Sequence, residues 1–197
     1  MFLGERWKKT LGIGLLAHAG QSIEVDPVDP NTILVIMDNS YDYHNKGLRG
    51  IFRSIDGGEN FKFVMPGRTF NSRRYEHNLA YDPSSVTTKA RRWYAALYDY
   101  DDDRGRIYIY RSEDGGNSWA QTSVIAADKA YNLQPHPADG RTLYIATSSG
   151  LYVSRDRGVN FTRTAGLPGE VTSIAVNGKN PEIIYSVASE DLYCSHD

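Results

Sequence analysis

The sequence predicts an all-β protein assembled from repeated units. Three observations predict it. A Ser-x-Asp-x-Gly-x-x-(Phe/Trp) signature occurs three times and begins a fourth. Short runs of alternating apolar and polar residues flank each copy. No stretch of a dozen residues carries a sustained helical period with caps. A signature recurring every ~40 to 60 residues marks a repeat architecture.

The signatures justify the hairpins first. The complete copies are Ser54, Asp56, Gly58, Phe61; Ser112, Asp114, Gly116, Trp119; and Ser154, Asp156, Gly158, Phe161. Ser195 and Asp197 start the fourth. Gly50-Ile51-Phe52-Arg53, Ile107-Tyr108-Ile109-Tyr110-Arg111 and Gly150-Leu151-Tyr152-Val153 lead into them, and runs such as Phe61-Lys62-Phe63-Val64 lead out. Alternation on both sides of a Gly- and Asp-rich segment is a β-hairpin pattern. Aspartate accepts hydrogen bonds from the N–H groups of its own turn, and glycine supplies a positive φ. These aspartates are therefore expected to be structural.

A second marker, Ile23-Glu24-Val25-Asp26-Pro27, has echoes at Leu79-Ala80-Tyr81-Asp82-Pro83, Asn132-Leu133-Gln134-Pro135-His136-Pro137 and Ile174-Ala175-Val176-Asn177. Together the two markers resemble the Asp-box, or bacterial neuraminidase (BNR) repeat, of sialidases, xyloglucanase-like glycosidases and sortilin-type receptors. The resemblance covers nearly the whole chain. It implies a β-propeller of four-stranded antiparallel blades, with the boxes on the hairpins between third and fourth strands, away from the binding face. It also implies an extracellular or periplasmic setting.

Within that frame the chain is one propeller domain over 1–197, whole or partial, with blades near 21–65, 77–124, 130–164 and 171–197. First strands are expected near 21–26, 77–82, 130–134 and 171–176, second strands near 32–37, 92–98, 142–147 and 182–188. Third strands fall near 50–54, 106–112, 150–154 and 191–195, fourth strands near 60–65, 118–124 and 160–164. Residues 4–10, Gly4-Glu5-Arg6-Trp7-Lys8-Lys9-Thr10, read as the missing fourth strand of the last blade. That blade is completed by this N-terminal strand, by another chain, or by further sequence, since propellers normally pair off their open edges.

Composition sets limits. Net charge is −2, which gives no broad basic field for nucleic acid. Arg68, Arg73, Arg74, Lys89, Arg91 and Arg92 form a local basic cluster, expected as solvated loop charge. The single cysteine, Cys194, has no disulfide partner in the chain and is expected to be buried in a strand. No secretory leader is visible, and Gly12-Ile13-Gly14-Leu15-Leu16-Ala17 is too short to span a bilayer. No cofactor fingerprint is present: there is no phosphate-cradling loop, dinucleotide motif or nucleophile motif. The five histidines show no metal-ligand spacing, so no metal is expected.

Two long connections between second and third strands supply the candidate binding residues. They contain Tyr41, Tyr43 and His44, and Tyr98, Tyr100 and Asp103. Aromatic faces stack on sugars, and carboxylates bind hydroxyls or act as acid and base. Asp42 and Asp101 are the weak candidates for a catalytic pair. Asp99, Asp101 and Asp103 have the odd spacing of a calcium loop, but glycine and the closing glutamate are misplaced. The sialidase Arg-Ile-Pro segment is absent. Two readings stand: a non-catalytic module that binds a protein partner or further blades, and a carbohydrate-binding or glycoside-hydrolase-like domain.

Overall fold

The computed structural model describes residues 19–38, 50–65, 78–86, 91–98 and 105–196. They form four antiparallel sheets and one short 3-10 turn, Pro83–Ser85. The first sheet holds β1 (Ala19–Val25), β2 (Ile33–Asp38), β3 (Gly50–Ser54) and β4 (Lys62–Phe63). The second holds β5 (Asn78–Tyr81), β6 (Trp93–Tyr98), β7 (Arg106–Ser112) and β8 (Ala120–Ala126). The third holds β9 (Ala130–Pro135), β10 (Leu143–Thr147), β11 (Gly150–Ser154) and β12 (Thr162–Arg163). The fourth holds β13 (Val171–Val176), β14 (Ile184–Ala188) and β15 (Asp191–Ser195). Strands are neighbours in chain order in every sheet.

Consecutive sheets stack face to face, and alternation along each strand decides which neighbour a side chain meets. On β6, Trp93, Ala95 and Leu97 join Leu34, Ile36 and Ile51 of the first sheet in one cluster. The intervening Tyr94 and Ala96 join Leu133, Leu143 and Ile145 of the third sheet in another. Tyr144, Ala146 and Leu151 then pack against Val171, Ile174 and Ala188 of the fourth sheet. A strand buried on both faces needs an uninterrupted apolar run, which β6 and β10 supply.

The innermost strands make contact in sequence, β1 with β5, β5 with β9 and β9 with β13. No comparable contact joins β13 back to β1 among the described residues. Polar side chains at one matching position tie these strands together. Leu79 N donates to Ser22 Oγ (3.2 Å), Asn78 Nδ2 donates to the Ala130 carbonyl (2.8 Å), and Ile174 N donates to Asn132 Oδ1 (3.3 Å).

The fourth sheet has three strands among the described residues, and residues 4–10 lie outside them. One expectation is corrected here. Cys194 is exposed rather than buried. It pairs with Tyr185 on the face of β15 that points away from the third sheet, together with Leu192. No described residue covers that face, so strand position alone does not bury the thiol.

Trp93 and Trp119 make opposite predictions. Trp93 is fully buried and its indole N–H has no partner, whereas Trp119 Nε1 donates to the Gly116 carbonyl at 3.1 Å. Trp93→Ala should cost about 3–5 kcal/mol. Trp93→Phe should cost less than Trp119→Phe, because it removes an unsatisfied donor rather than a bonded one. Urea unfolding of the three variants checks the order.

Candidate functional site

The three aspartate corners share one geometry. Ser54 Oγ donates to Asp56 Oδ1 (2.8 Å) and accepts from Gly58 N (2.9 Å). Ser112 makes the same bonds to Asp114 (2.8 Å) and Gly116 (2.9 Å), and Ser154 to Asp156 and Gly158 (both 2.8 Å). The aspartates then clasp the far side of the turn. Asp56 accepts from Asn60 N and Nδ2, Asp114 from Ser118 N and Oγ, and Asp156 from Asn160 N and Nδ2. The serines are buried, Asp56 and Asp114 are exposed, and Asp156 is half-buried. The serine hydroxyl is thus the hub, and sequence reasoning had assigned that weight to aspartate.

These bonds shift the acids. The Asn60 N–H, then its side chain, then Ser54 hold the Asp56 carboxyl down at about 2, from an ordinary 3.8. Asn160 and Ser154 hold Asp156 at about 2 in the same way. Burial pushes Asp114 up, but bonds from Ser118, Ser112 and Asn117 outweigh it and leave it lowered. A general acid needs the opposite shift.

The corners also join the sheets. Gly57, Gly115 and Arg157 donate their N–H groups to the carbonyls of Asn31, Arg91 and Arg141, on the segment leading into the second strand of the same sheet. Arg53 Nε reaches the Gly115 carbonyl of the next sheet (2.8 Å), and Arg111 Nη1 reaches that of Arg157 (2.9 Å). Gly116 has φ of +80°, and a Cβ there would lie 2.7 Å from the buried Leu34 methyls.

The second sequence marker caps the turn between first and second strands with three kinds of side chain. Val28 N and Asp29 N donate to Asp26 Oδ1, and Ser84 N donates to Asp82 Oδ1. Ala138 N and Asp139 N donate to His136 Nδ1, and Lys179 N and Asn180 N to Asn177 Oδ1. Asp26, Asn177 and the unprotonated nitrogen of His136 each accept two turn N–H bonds, and Asp82 accepts one together with the Ser84 hydroxyl. His136 is a turn cap.

Among the loop candidates, Tyr98 alone is described. It ends β6 opposite Ile107, half-buried against the cluster between the second and third sheets. Tyr41, Asp42, Tyr43, His44, Tyr100, Asp101 and Asp103 lie outside the described residues, as do Asp99 and Asp197. Among the described residues no group of His, Cys, Asp and Glu is placed to hold a metal ion. The expectation of solvated charge is corrected at two arginines. Arg91 pairs with the buried Asp26 at 2.9 Å, and Arg92 with Asp82 at 2.7 Å and Glu113 at 3.0 Å. Arg68, Arg73, Arg74 and Lys89 lie outside the described residues. A groove of about 400 Å³ runs between the third and fourth sheets. A hollow of about 450 Å³ adjoins the third corner.

Stacked four-stranded meanders linked through their innermost strands define a β-propeller module. No family model matches the sequence. Over 78 residues the chain is 35% identical to the vacuolar protein sorting/targeting protein 10 of Pyricularia oryzae, spanning 36% of this chain and 5% of that protein. Its fold is similar to an ancestral GH74 enzyme, with a TM-score of 0.65 and 22% identity over 93% of this chain and 25% of that one. The GH74 enzyme of Niastella koreensis gives a TM-score of 0.63 and 17% identity over 87% of this chain and 26% of that one. The GH93 α-L-arabinofuranosidase of Fusarium graminearum gives 0.53 and 14% over 89% and 61%. At such identities these structures establish the fold alone.

Two predictions test the corners. Ser112→Ala should destabilise by roughly 1–3 kcal/mol, because it leaves the buried Gly116 N–H unpaired, and should cost more than Asp114→Ala, whose turn donors are exposed to water. The acids predict a pH response. Their folded values lie below the unfolded ones, so their contribution is complete above about pH 4 and is lost as the pH falls toward 2. The unfolding temperature should drop across that window, and an Asp56→Asn, Asp156→Asn double variant should show a shallower drop.

Arg157 supplies a third. It adopts φ of 64° where the other corners place Gly57 and Gly115, both at 70°. Arg157→Gly should raise stability by roughly 0.5–1 kcal/mol by relieving this left-handed strain. The urea midpoint reads it, and a lower midpoint would contradict it.

Proposed function

We propose that this chain is a non-catalytic, Asp-box-type interaction module of the sortilin kind, whose loops present a binding surface on a rigid propeller scaffold. The observation that carries this reading is the 35% identity over 78 residues to a vacuolar sorting/targeting protein. The chain spans one twentieth of that protein's length, so the ligand is read from this chain's own residues. The corner chemistry agrees: Asp56, Asp114 and Asp156 are engaged in holding their turns and are held ionised, which suits structure rather than proton transfer. Loops on a rigid scaffold are where binding residues concentrate. Tyr41, Tyr43, His44, Tyr98, Tyr100 and Asp103 are the residues we assign to that surface.

Peptide and glycan arrays, run beside a hydrolysis assay on plant and animal glycans, test the reading. Peptide binding without glycan binding or turnover is expected. A Tyr41→Ala, Tyr43→Ala, Tyr100→Ala triple variant should lose the peptide signal at least tenfold while its unfolding temperature stays within a few degrees. Glycan turnover that disappears in Asp42→Asn or Asp101→Asn would overturn the reading in favour of a glycosidase.

A further inference from the structure

The fourth sheet lacks, among the described residues, a strand that the other three possess. In the first three sheets the fourth strand lies along the outer edge of the third. Phe52 pairs with Phe63, Arg111 with Ala120, and Val153 with Thr162. The matching edge of β15 adjoins the groove of about 400 Å³, whose lining includes Tyr144, Leu151, Leu167, Ile184 and Tyr193. The equivalent positions in earlier sheets show what such a groove takes. Trp119 sits in the cluster between the first and second sheets, and Phe161 packs against the cluster between the second and third.

A threonine follows each of these rings by three residues and bonds to the third strand. Thr122 Oγ1 donates to the Ile109 carbonyl (3.4 Å), and Thr164 Oγ1 to that of Leu151 (3.2 Å). Ile109 and Leu151 each lie three residues before their corner serine, the place Leu192 holds before Ser195. An occupant of the β15 edge should therefore carry glycine, an aromatic three residues later and threonine three after that. Gly4, Trp7 and Thr10 have those intervals, matching Gly116, Trp119, Thr122 and Gly158, Phe161, Thr164.

The end faces say which copy donates the segment. Ile23 and Val25 of the first sheet are 64% and 49% exposed, and Tyr185 and Leu192 of the fourth are 41% and 70% exposed. Residues 11–18 join the segment to β1, a length close to residues 164–170 between β12 and β13. A chain that lends residues 4–10 to a β15 edge thus sets its own β1 beside that edge's β13, and both apolar faces are covered together. Among the described residues of one chain, β1 and β13 do not pack together as β1 and β5 do.

We propose that the β15 edge and its groove form a strand-acceptor site, filled by residues 4–10 of a second copy of this chain. The added strand satisfies the edge N–H and C=O groups, and Trp7 fills the groove as Trp119 does between the first two sheets. Exchange in both directions closes a two-fold assembly. It is independent of whatever the loop surface binds.

Native mass spectrometry of the full 197-residue chain, with maleimide labelling of Cys194, tests this. A dimer with slow labelling at Cys194 is expected. Trp7→Ala should give a monomer whose Cys194 labels at least tenfold faster. A synthetic peptide of residues 1–12 should bind that monomer one to one, while the same peptide carrying Trp7→Ala should not. Leu192→Lys, on an exposed acceptor position, gives a second route to the monomer, with circular dichroism confirming the fold. A wild-type monomer overturns the proposal, whether Cys194 is protected by the chain's own N-terminal segment or freely reactive. A dimer that persists in both variants overturns it too.

Discussion

One buried hydroxyl at each corner fixes the geometry on which the sheets depend. A Ser-x-Asp-x-Gly hairpin must turn its backbone inward against the neighbouring sheet, which places the glycine N–H away from water. Leaving that donor unpaired would cost roughly 1–3 kcal/mol at every corner. The serine Oγ accepts it at 2.8 to 2.9 Å in all three complete corners. With the turn so held, its other carbonyls face outward to the arginine of the preceding sheet. The aspartate stabilises the turn from the solvent side, and the glycine lets Leu34 approach where any Cβ would collide.

The stacking follows from this. Sheets held at a fixed spacing bury both faces of their central strands, so β6 and residues 143–146 of β10 are apolar, while the outer strands β8 and β12 are mostly exposed. The polar links differ in chemistry from sheet to sheet but not in place. Asp26, Asp82, His136 and Asn177 cap the same turn, and Ser22, Asn78 and Asn132 link the same inner positions. Where the arginine of the first two sheets would recur, the third has Val153 and the fourth Cys194. The interface between the third and fourth sheets therefore has Val153 in place of the charged tie, and a groove opens beside it.

Much of the fold was legible because a hairpin corner writes itself into local sequence. Glycine, aspartate and the closing aromatic are needed at set intervals, and alternation marks the strands between them. The fourth strands at 60–65 and 160–164 read longer than the Lys62–Phe63 and Thr162–Arg163 ladders, although Val64 N and Thr164 N still donate to the Ile51 and Leu151 carbonyls. The serine hub was hidden because a short polar residue beside aspartate looks like a solvated turn. The arginine ties were hidden because their acceptors are backbone carbonyls 62 and 46 residues away. Exposure of Cys194 was equally invisible, because alternation gives the face of a strand and not what covers it. Of the loop candidates, Tyr98 is legible as a strand end whose ring rests on the core.

Amide hydrogen exchange at Gly58, Gly116 and Gly158 tests most directly whether the serine-held corners organise the molecule. If they do, these three amides exchange as slowly as those of Ala95 and Ile145 in the central strands, and only through cooperative opening. Exchange at the rate of an exposed loop, with the central strands still protected, would show that the sheets hold their arrangement without the corners.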